Sequence, residues 1–560
     1  MALRRGLAQR HSRGGAGELR RALRTVTGCA ALPALPSATV MQVEAESGLT
    51  AALERRRRQW RDFDGTARLW ARDASLWTDS GEEEWLGWLD VEHLGDLTFA
   101  NTDGKRVATG AAALAEHLAG PPFERCLLLG MGGSALGAGL LWWALPRQVD
   151  AEFIVLDTTD PREITRALEG VDPSALRVIA ASKSGGTLET RLAFELLLDR
   201  LGEAAPRAAL AITDQGSALE ARARTAGVPV VFGQPDIGGR FSVLSAFGLA
   251  PAAVAGIDVE PLLLSARRMA AVCRRPDDGE ETNPGLELGL LLAAAHDCGR
   301  DKLYLHAPDG CAEMVAWVEQ LIAESLGKGD VLLLPVAAAG LPAESAPDRL
   351  DIELVPADLG GEFFRWQFAT AVAGALLGVN PFDQPDVESS KVVTRRYVER
   401  MTAGDTPAPA GVVRLSEVSE LGLAQLLGTH LATFPDRGYA VISAYLDRSH
   451  RNRELLDALR RGVAGRTSGA SVLGFGPGFL HSTGQAHKGG PNRGLFLQIT
   501  ADPPAADVPI PGEGLTCGQV QLAQAWGDYE VLVERNRRVL AVHIDGAVEA
   551  GLRRLIEALS

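Results

Sequence analysis

Three hydroxyls, a lysine and two glycines crowd into Ser182-Lys183-Ser184-Gly185-Gly186-Thr187, with Leu188-Glu189-Thr190 following. An apolar run over 176–181 leads in, and a helical pattern with Leu192, Phe194 and Leu197 leads out. That order reads as strand, turn, helix. It points hydroxyls and backbone N–H groups at one spot, at the positive end of a helix dipole, which suits an anion the size of a phosphate. Glycines allow close approach of backbone to ligand, and the turn falls at the carboxyl end of a strand, where open α/β sheets place ligands. An ordinary capped helix behind a Ser/Gly loop is the plainer alternative.

A second turn strengthens the phosphate reading. Gly130-Met131-Gly132-Gly133-Ser134-Ala135-Leu136-Gly137 follows the apolar strand 126–129. It misses the dinucleotide fingerprint, because Ala135 stands where the third glycine belongs, and Asp157 after the next strand fits a nicotinamide site only loosely. A serine-bearing loop beside the first one, with both strands in one parallel sheet, is the better reading. Elsewhere, Gln320, Glu324 and Lys328 share one helix face by their spacing of four. Such a carboxylate can act as a general base, but spacing alone reads as an exposed Glu–Lys pair worth a few tenths of a kcal/mol (~0.2–0.5). Arg240 follows Gly238-Gly239, which lets a guanidinium sit against a ligand or form a structural ion pair. Asp383, Glu388 and Lys391 form a third polar group. His481 and His487 lie in a Gly-rich stretch after a strand, and neither has metal-ligand spacing with a third residue.

These side chains need a scaffold. Residues 1–47 carry seven arginines (4, 5, 10, 13, 20, 21, 24) and read as a basic, disordered leader rather than a transit peptide. From Gly48 to Asp90 the pattern is helical. There 54–58 reads as a solvated face, and tryptophans 70, 77, 85 and 88 read as packing anchors. Strands are expected near 126–129, 153–156, 176–181, 209–213 and 229–232, alternating with helices, which means a doubly wound parallel sheet. A second α/β unit begins near 260, with strands near 302–305, 438–445, 471–475, 494–499 and 538–543 and a long apolar helix from Glu362 to Gly378. The expected division is 1–47 leader, 48–260 helical extension plus first domain, and 261–560 second domain.

At 560 residues the chain has room for two or three cores. Its net charge of −15 and pI near 5.3 argue against a nucleic-acid or anionic-membrane partner. No apolar run reaches the roughly 18 residues of a membrane span. The six cysteines are scattered and read as small buried residues of a reducing, cytoplasmic compartment.

Five segments together, 130–134, 182–190, 238–242, 320–328 and 382–391, resemble phosphoglucose isomerase, a family built of two three-layer α/β/α sugar-isomerase (SIS) domains. The resemblance runs from about residue 65 to the end. Stretches 68–77 and 85–88, with the His481 segment, are most similar to the isomerase half of bacterial transaldolase/phosphoglucose isomerase fusions, although no transaldolase barrel fits before residue 65. The resemblance implies a glycolytic and gluconeogenic aldose–ketose isomerase acting on glucose 6-phosphate and fructose 6-phosphate through an enediolate. It implies no metal or nucleotide cofactor, a homodimer, and a functional link to transaldolase. Ser134, Ser182, Ser184 and Thr187 would hold the phosphate, with Lys183 nearby. Glu324 would carry the proton between C2 and C1, and Arg240 would stabilise the enediolate. Lys391 and His481 would open the ring, and Gly133, Gly239 and Gln320 would complete the substrate site. The alternatives are a non-catalytic SIS-type sugar-phosphate regulator and an isomerase of a related sugar phosphate. Three departures stand out: Gly185-Gly186 replace an aromatic and a threonine, Asp386 replaces a small residue, and His481 follows Lys391 where the family's histidine precedes it. In the family that histidine comes from the neighbouring subunit.

Overall fold

A computed structural model describes residues 47–118, 122–276, 282–308, 310–338, 346–405 and 408–559. The leader therefore lies almost wholly outside the described residues. Seven strands form the first sheet: β1 (Asp96–Ala100), β2 (Arg106–Gly110), β3 (Arg125–Gly130), β4 (Glu152–Leu156), β5 (Leu176–Ala181), β6 (Ala209–Thr213) and β7 (Val230–Phe232). Their order is β2-β1-β7-β6-β5-β3-β4; β3 to β7 run parallel, and β1 and β2 add an antiparallel edge. The chain leaves β3 for β4 on one side and returns to β5 on the other, so the order reverses between β3 and β5. Outside the carboxyl ends of such a pair lies the crevice where ligands bind.

All residues of β5 and β6 are buried. Buried on both faces, these strands read as continuous apolar runs, which is why they were visible in the sequence. The edge strands β1 and β2 were not expected. β2 alternates exposed and half-buried residues and has no apolar face to announce it.

The second unit carries two parallel sheets. One holds β8 (Lys302–His306), β9 (Leu334–Ala337) and β10 (Arg349–Glu353) in the order β10-β8-β9. The other holds β11 (Val413–Arg414), β12 (Tyr439–Tyr445), β13 (Ala470–Phe475), β14 (Gly494–Ala501) and β15 (Arg538–Ile544) in the order β11-β15-β14-β12-β13. The mixed α/β class with parallel sheets is as the sequence implied. Strands β9, β10 and β11 were not expected, being two to five residues long. No helix among the described residues is long and apolar enough to cross a membrane.

The 48–90 region is helical only in part. Helices Ser47–Asp62 and Gly65–Trp70 give way to short 3-10 turns. One of these turns is built around Glu82, a buried carboxylate that accepts hydrogen bonds from Thr78 and Ser80. The arginines of 54–58 are not simply solvated. Arg56 donates to Asp297 and to the Leu376 carbonyl, and Arg57 pairs with Glu287, docking this helix on Pro284–Asp297. The tryptophans anchor as expected. Trp70 packs on Phe364 and Phe368, Trp77 meets Phe382 edge-on and donates to the Ala371 carbonyl, and Trp88 contacts Phe241 and Phe364. Phe241 and Phe382 flank Arg240 and Asp383 in sequence, so this aromatic layer is the floor on which the site rests.

Candidate active site

The two glycine turns lie side by side, as the pairing of Gly130 with Ala181 requires. Gly132 has φ +49°, and a Cβ there would come within 2.5 Å of both the Gln320 amide nitrogen and the His481 carbonyl oxygen. A Cβ on Gly133 would run into the Gly239 carbonyl and the Arg240 nitrogen. Only glycine lets this turn touch all three neighbouring segments at once.

Gln320 and Glu324 sit one turn apart on the helix Ala312–Leu326 and are buried, 4 % and 8 % exposed. The reading of Glu324 and Lys328 as an exposed pair is overturned, since Glu324 is buried and Lys328 half-buried. Gln320 is covered by the 130–134 turn and by the His481 turn. Gln320 Nε2 donates to Glu324 Oε2 (2.9 Å) and to the His481 carbonyl (2.9 Å). Two acceptors on one nitrogen fix the amide's orientation. Gln320 Oε1 is then a buried acceptor without a hydrogen-bond donor among the described residues.

Arg240, 3 % exposed, approaches Glu324 from the other side, Nη1 to Oε1 3.4 Å. Its Nε donates to Ser325 Oγ (2.7 Å), Nη1 to Gln384 Oε1 (2.8 Å), and Nη2 to the carbonyls of Pro381 (2.6 Å) and Asp383 (2.9 Å). Four of the five guanidinium hydrogens are thus engaged with protein oxygens. The fifth faces Glu324 across a gap longer than a good hydrogen bond, where a ligand oxygen can take it.

A cleft of about 350 Å³ is lined by Thr187, Glu189, Ser390, Lys391, His481 and Gln524, among others. It joins the phosphate-type turn of the first sheet to the helix Pro385–Thr402 and to the 478–481 turn of the second unit. Ser182 and Thr187 share a hydrogen bond (2.9 Å), and Ser184 is exposed, its Oγ accepting from Gly186 N–H (3.3 Å). Ser134 is buried in the adjacent turn. Gly185, at φ +66°, packs so tightly on Ser217 that an aromatic has no room there, which accounts for that departure. Lys183 must be corrected. Its ammonium is held by Asp214 (2.7 Å) and the carbonyls of Gln234 (2.8 Å) and Pro235 (3.3 Å), so it braces the loop and is not spare for an anion.

His481 Nε2 lies 3.0 Å from Glu189 Oε1, and Gln524 Nε2 donates to the same oxygen (2.6 Å). Burial alone would raise the Glu189 carboxyl. The paired His481, followed by its own N–H and Gln524, overcomes this and holds it below the usual carboxylate range. The carboxylate against Nε2 fixes the orientation of the His481 ring. Glu189 and Gln524 were missed in the sequence. The first reads as a helix-start acid, and its partner lies 292 positions away. Asp386 is neutralised by Arg535 and accepts from Gln485 Nε2 (2.6 Å). Among the described residues, Asp502, His543 and Asp545 gather near the ends of β14 and β15. Asp545 there pairs with Arg414 and Ser416, and His543 with Thr500 and Asp502, a structural arrangement.

A buried carboxylate opposite a guanidinium, next to a cleft edged by hydroxyls, a lysine and a carboxylate-paired histidine, suits proton transfer on an anionic substrate. Residues 111–328 match the model of the phosphoglucose isomerase family. The chain is 39% identical over 215 residues to a glucose-6-phosphate isomerase of Cyanothece sp., which is 37% of this chain and 40% of that protein. It is 29% identical over 390 residues to the Symbiobacterium thermophilum glucose-6-phosphate isomerase, 54% of this chain and 85% of the relative. The chain thus spans less than half the length of the Cyanothece relative. A crystal structure of a glucose-6-phosphate isomerase from Chlamydia trachomatis overlays with a TM-score of 0.41 at 17% identity, covering 65% of this chain and 89% of that one.

Proposed function

We propose that the chain interconverts glucose 6-phosphate and fructose 6-phosphate. The observation that supports this most is the placement of Glu324. Its carboxylate is bonded by Gln320 on one oxygen and faces the one uncommitted Arg240 N–H on the other. In this reading the phosphate rests on the hydroxyls of Ser134, Ser182, Ser184 and Thr187. Lys391 and His481 move a proton between the ring oxygen and the anomeric hydroxyl, and the ring opens. Glu324 then removes the C2 proton. The electron pair forms the C1–C2 double bond, and negative charge gathers on the substrate oxygen opposite Arg240, whose guanidinium is already oriented. The C2 hydroxyl proton passes to the C1 oxygen, C2 becomes the carbonyl, and return of the same proton from Glu324 to C1 completes the ketose. Gln320 Oε1 accepts from a sugar hydroxyl. His481 reaches Glu189 within one chain, which supports a site assembled without a second subunit.

The direct test is turnover of fructose 6-phosphate by purified protein, coupled to oxidation of the glucose 6-phosphate formed. Binding without turnover would instead mean a sugar-phosphate sensor. Replacing Ser184 and Thr187 together by Ala should raise KM by about tenfold or more, since each lost hydrogen bond to a charged group is worth ~1.5–3 kcal/mol, while kcat falls less. An unchanged KM removes this turn from the phosphate site.

A further inference from the structure

We propose that Lys328 is a positioning residue for this reaction: its ammonium fixes the 380–384 turn in the place from which that turn clamps Arg240 and launches the helix bearing Lys391. The inference rests on the isomerase reading above. Lys328 lies just past the end of the Glu324 helix. Its backbone is itself anchored, the N–H donating to the Val331 carbonyl (3.1 Å) and the carbonyl accepting from Val331 N–H (2.9 Å). Its Nζ donates to the Asn380 carbonyl, the Asp383 carbonyl (2.7 Å) and Asp383 Oδ1 (2.6 Å). All three ammonium hydrogens are engaged, so the group has no donor for substrate and acts through the turn it holds.

The turn is gripped from two sides. The Asp383 carbonyl accepts from both Lys328 and Arg240, and Arg240 also binds the Pro381 carbonyl and the Gln384 side chain. Helix Pro385–Thr402, which carries Lys391 to the cleft, begins at the next residue. Lys328 therefore ties the helix of the proton carrier to the helix of the ring-opening lysine, with Arg240 between them.

The charges facing Nζ are Arg240, Asp383 and Glu324. Burial, aided by Arg240, brings the ammonium down to about 8 against the opposing pull of Asp383 and Glu324. As pH rises through that value the amine loses one donor and the turn loses one contact, so kcat should fall. The unfolded chain keeps this proton up to about pH 10.4, so this group makes folding stability rise over the same window. Activity and stability thus move in opposite directions, which a merely structural lysine would not produce.

The experiment is a set of kcat and KM pH profiles for the full chain, Lys328→Met and Asp383→Asn. Lys328→Met should lower kcat by about 10–100-fold, the scale of a misplaced catalytic group, with KM within about threefold and the basic limb near pH 8 gone. Asp383→Asn, altering a side chain 49% exposed, removes a carboxylate that favours the ammonium, so its basic limb should move to lower pH. It decides the matter where Lys328→Met fails to fold. A folded Lys328→Met within twofold of the parent kcat, or an unmoved limb in Asp383→Asn, overturns the inference alone. An inactive parent chain overturns the isomerase reading and the inference with it.

Discussion

Glu324→Gln should reduce kcat by about 10²–10⁴-fold, the range that a positioned general base contributes, while the protein still binds sugar phosphate with near-parental affinity. The amide keeps a carbonyl to accept from Gln320 and fits the same volume, but it has no basic oxygen for the C2 proton. The change also leaves Arg240 buried without its facing carboxylate. Burial already lowers the Arg240 pKa, and Glu324 is the first of the charges that offset it. A stability loss of a few kcal/mol is expected from breaking a buried pair (~3–5 kcal/mol when one partner is removed), and denaturant unfolding measures it. Rate measured on the folded fraction, with ligand binding by calorimetry, separates the two effects. Turnover within tenfold of the parent would mean that the proton moves through another group.

The two phosphate-type turns were legible because each follows a mostly apolar strand, and β3 and β5 are buried along almost their whole length. Strand, glycine turn and helix then follow from local rules alone. Glu324 was legible only through the resemblance. Its spacing with Lys328 is equally that of a surface pair, and the groups that face it in the fold include Arg240, remote in sequence. Lys391 and His481 fall outside the 111–328 match, and one-dimensional order set them apart from the first domain. They meet Thr187 and Glu189 because the helix Pro385–Thr402 and the 478–481 turn are both folded back against the carboxyl edge of the first sheet. Lys183 failed as an anion ligand for a related reason. A lysine in a hydroxyl-rich turn looks like a phosphate ligand until Asp214, at the end of β6, is seen beside it. The role of Lys328 was equally hidden, since two of its three acceptors are main-chain carbonyls, which leave no mark in a sequence.

Arg240→Lys should be nearly as damaging as loss of the base, although it keeps the charge. A guanidinium reaches Ser325, Gln384, Pro381, Asp383 and Glu324 because its five donors form a rigid fork; an ammonium has three donors on a flexible stem. At least two of the oxygens that Arg240 now serves would be left without it. Buried carbonyls without donors cost ~1–3 kcal/mol each, so unfolding should shift by several kcal/mol. The catalytic loss has a separate origin. In the proposed reaction the hydrogen offered to the developing oxyanion is positioned only because the other four are fixed, and removing such a preorganised donor costs about 10²–10³ in kcat. The expected outcome is therefore a fall of that size in kcat, with KM changed by less, because the phosphate turns do not touch the guanidinium. A larger effect on KM than on kcat would place Arg240 in ground-state binding and take the enediolate role from it.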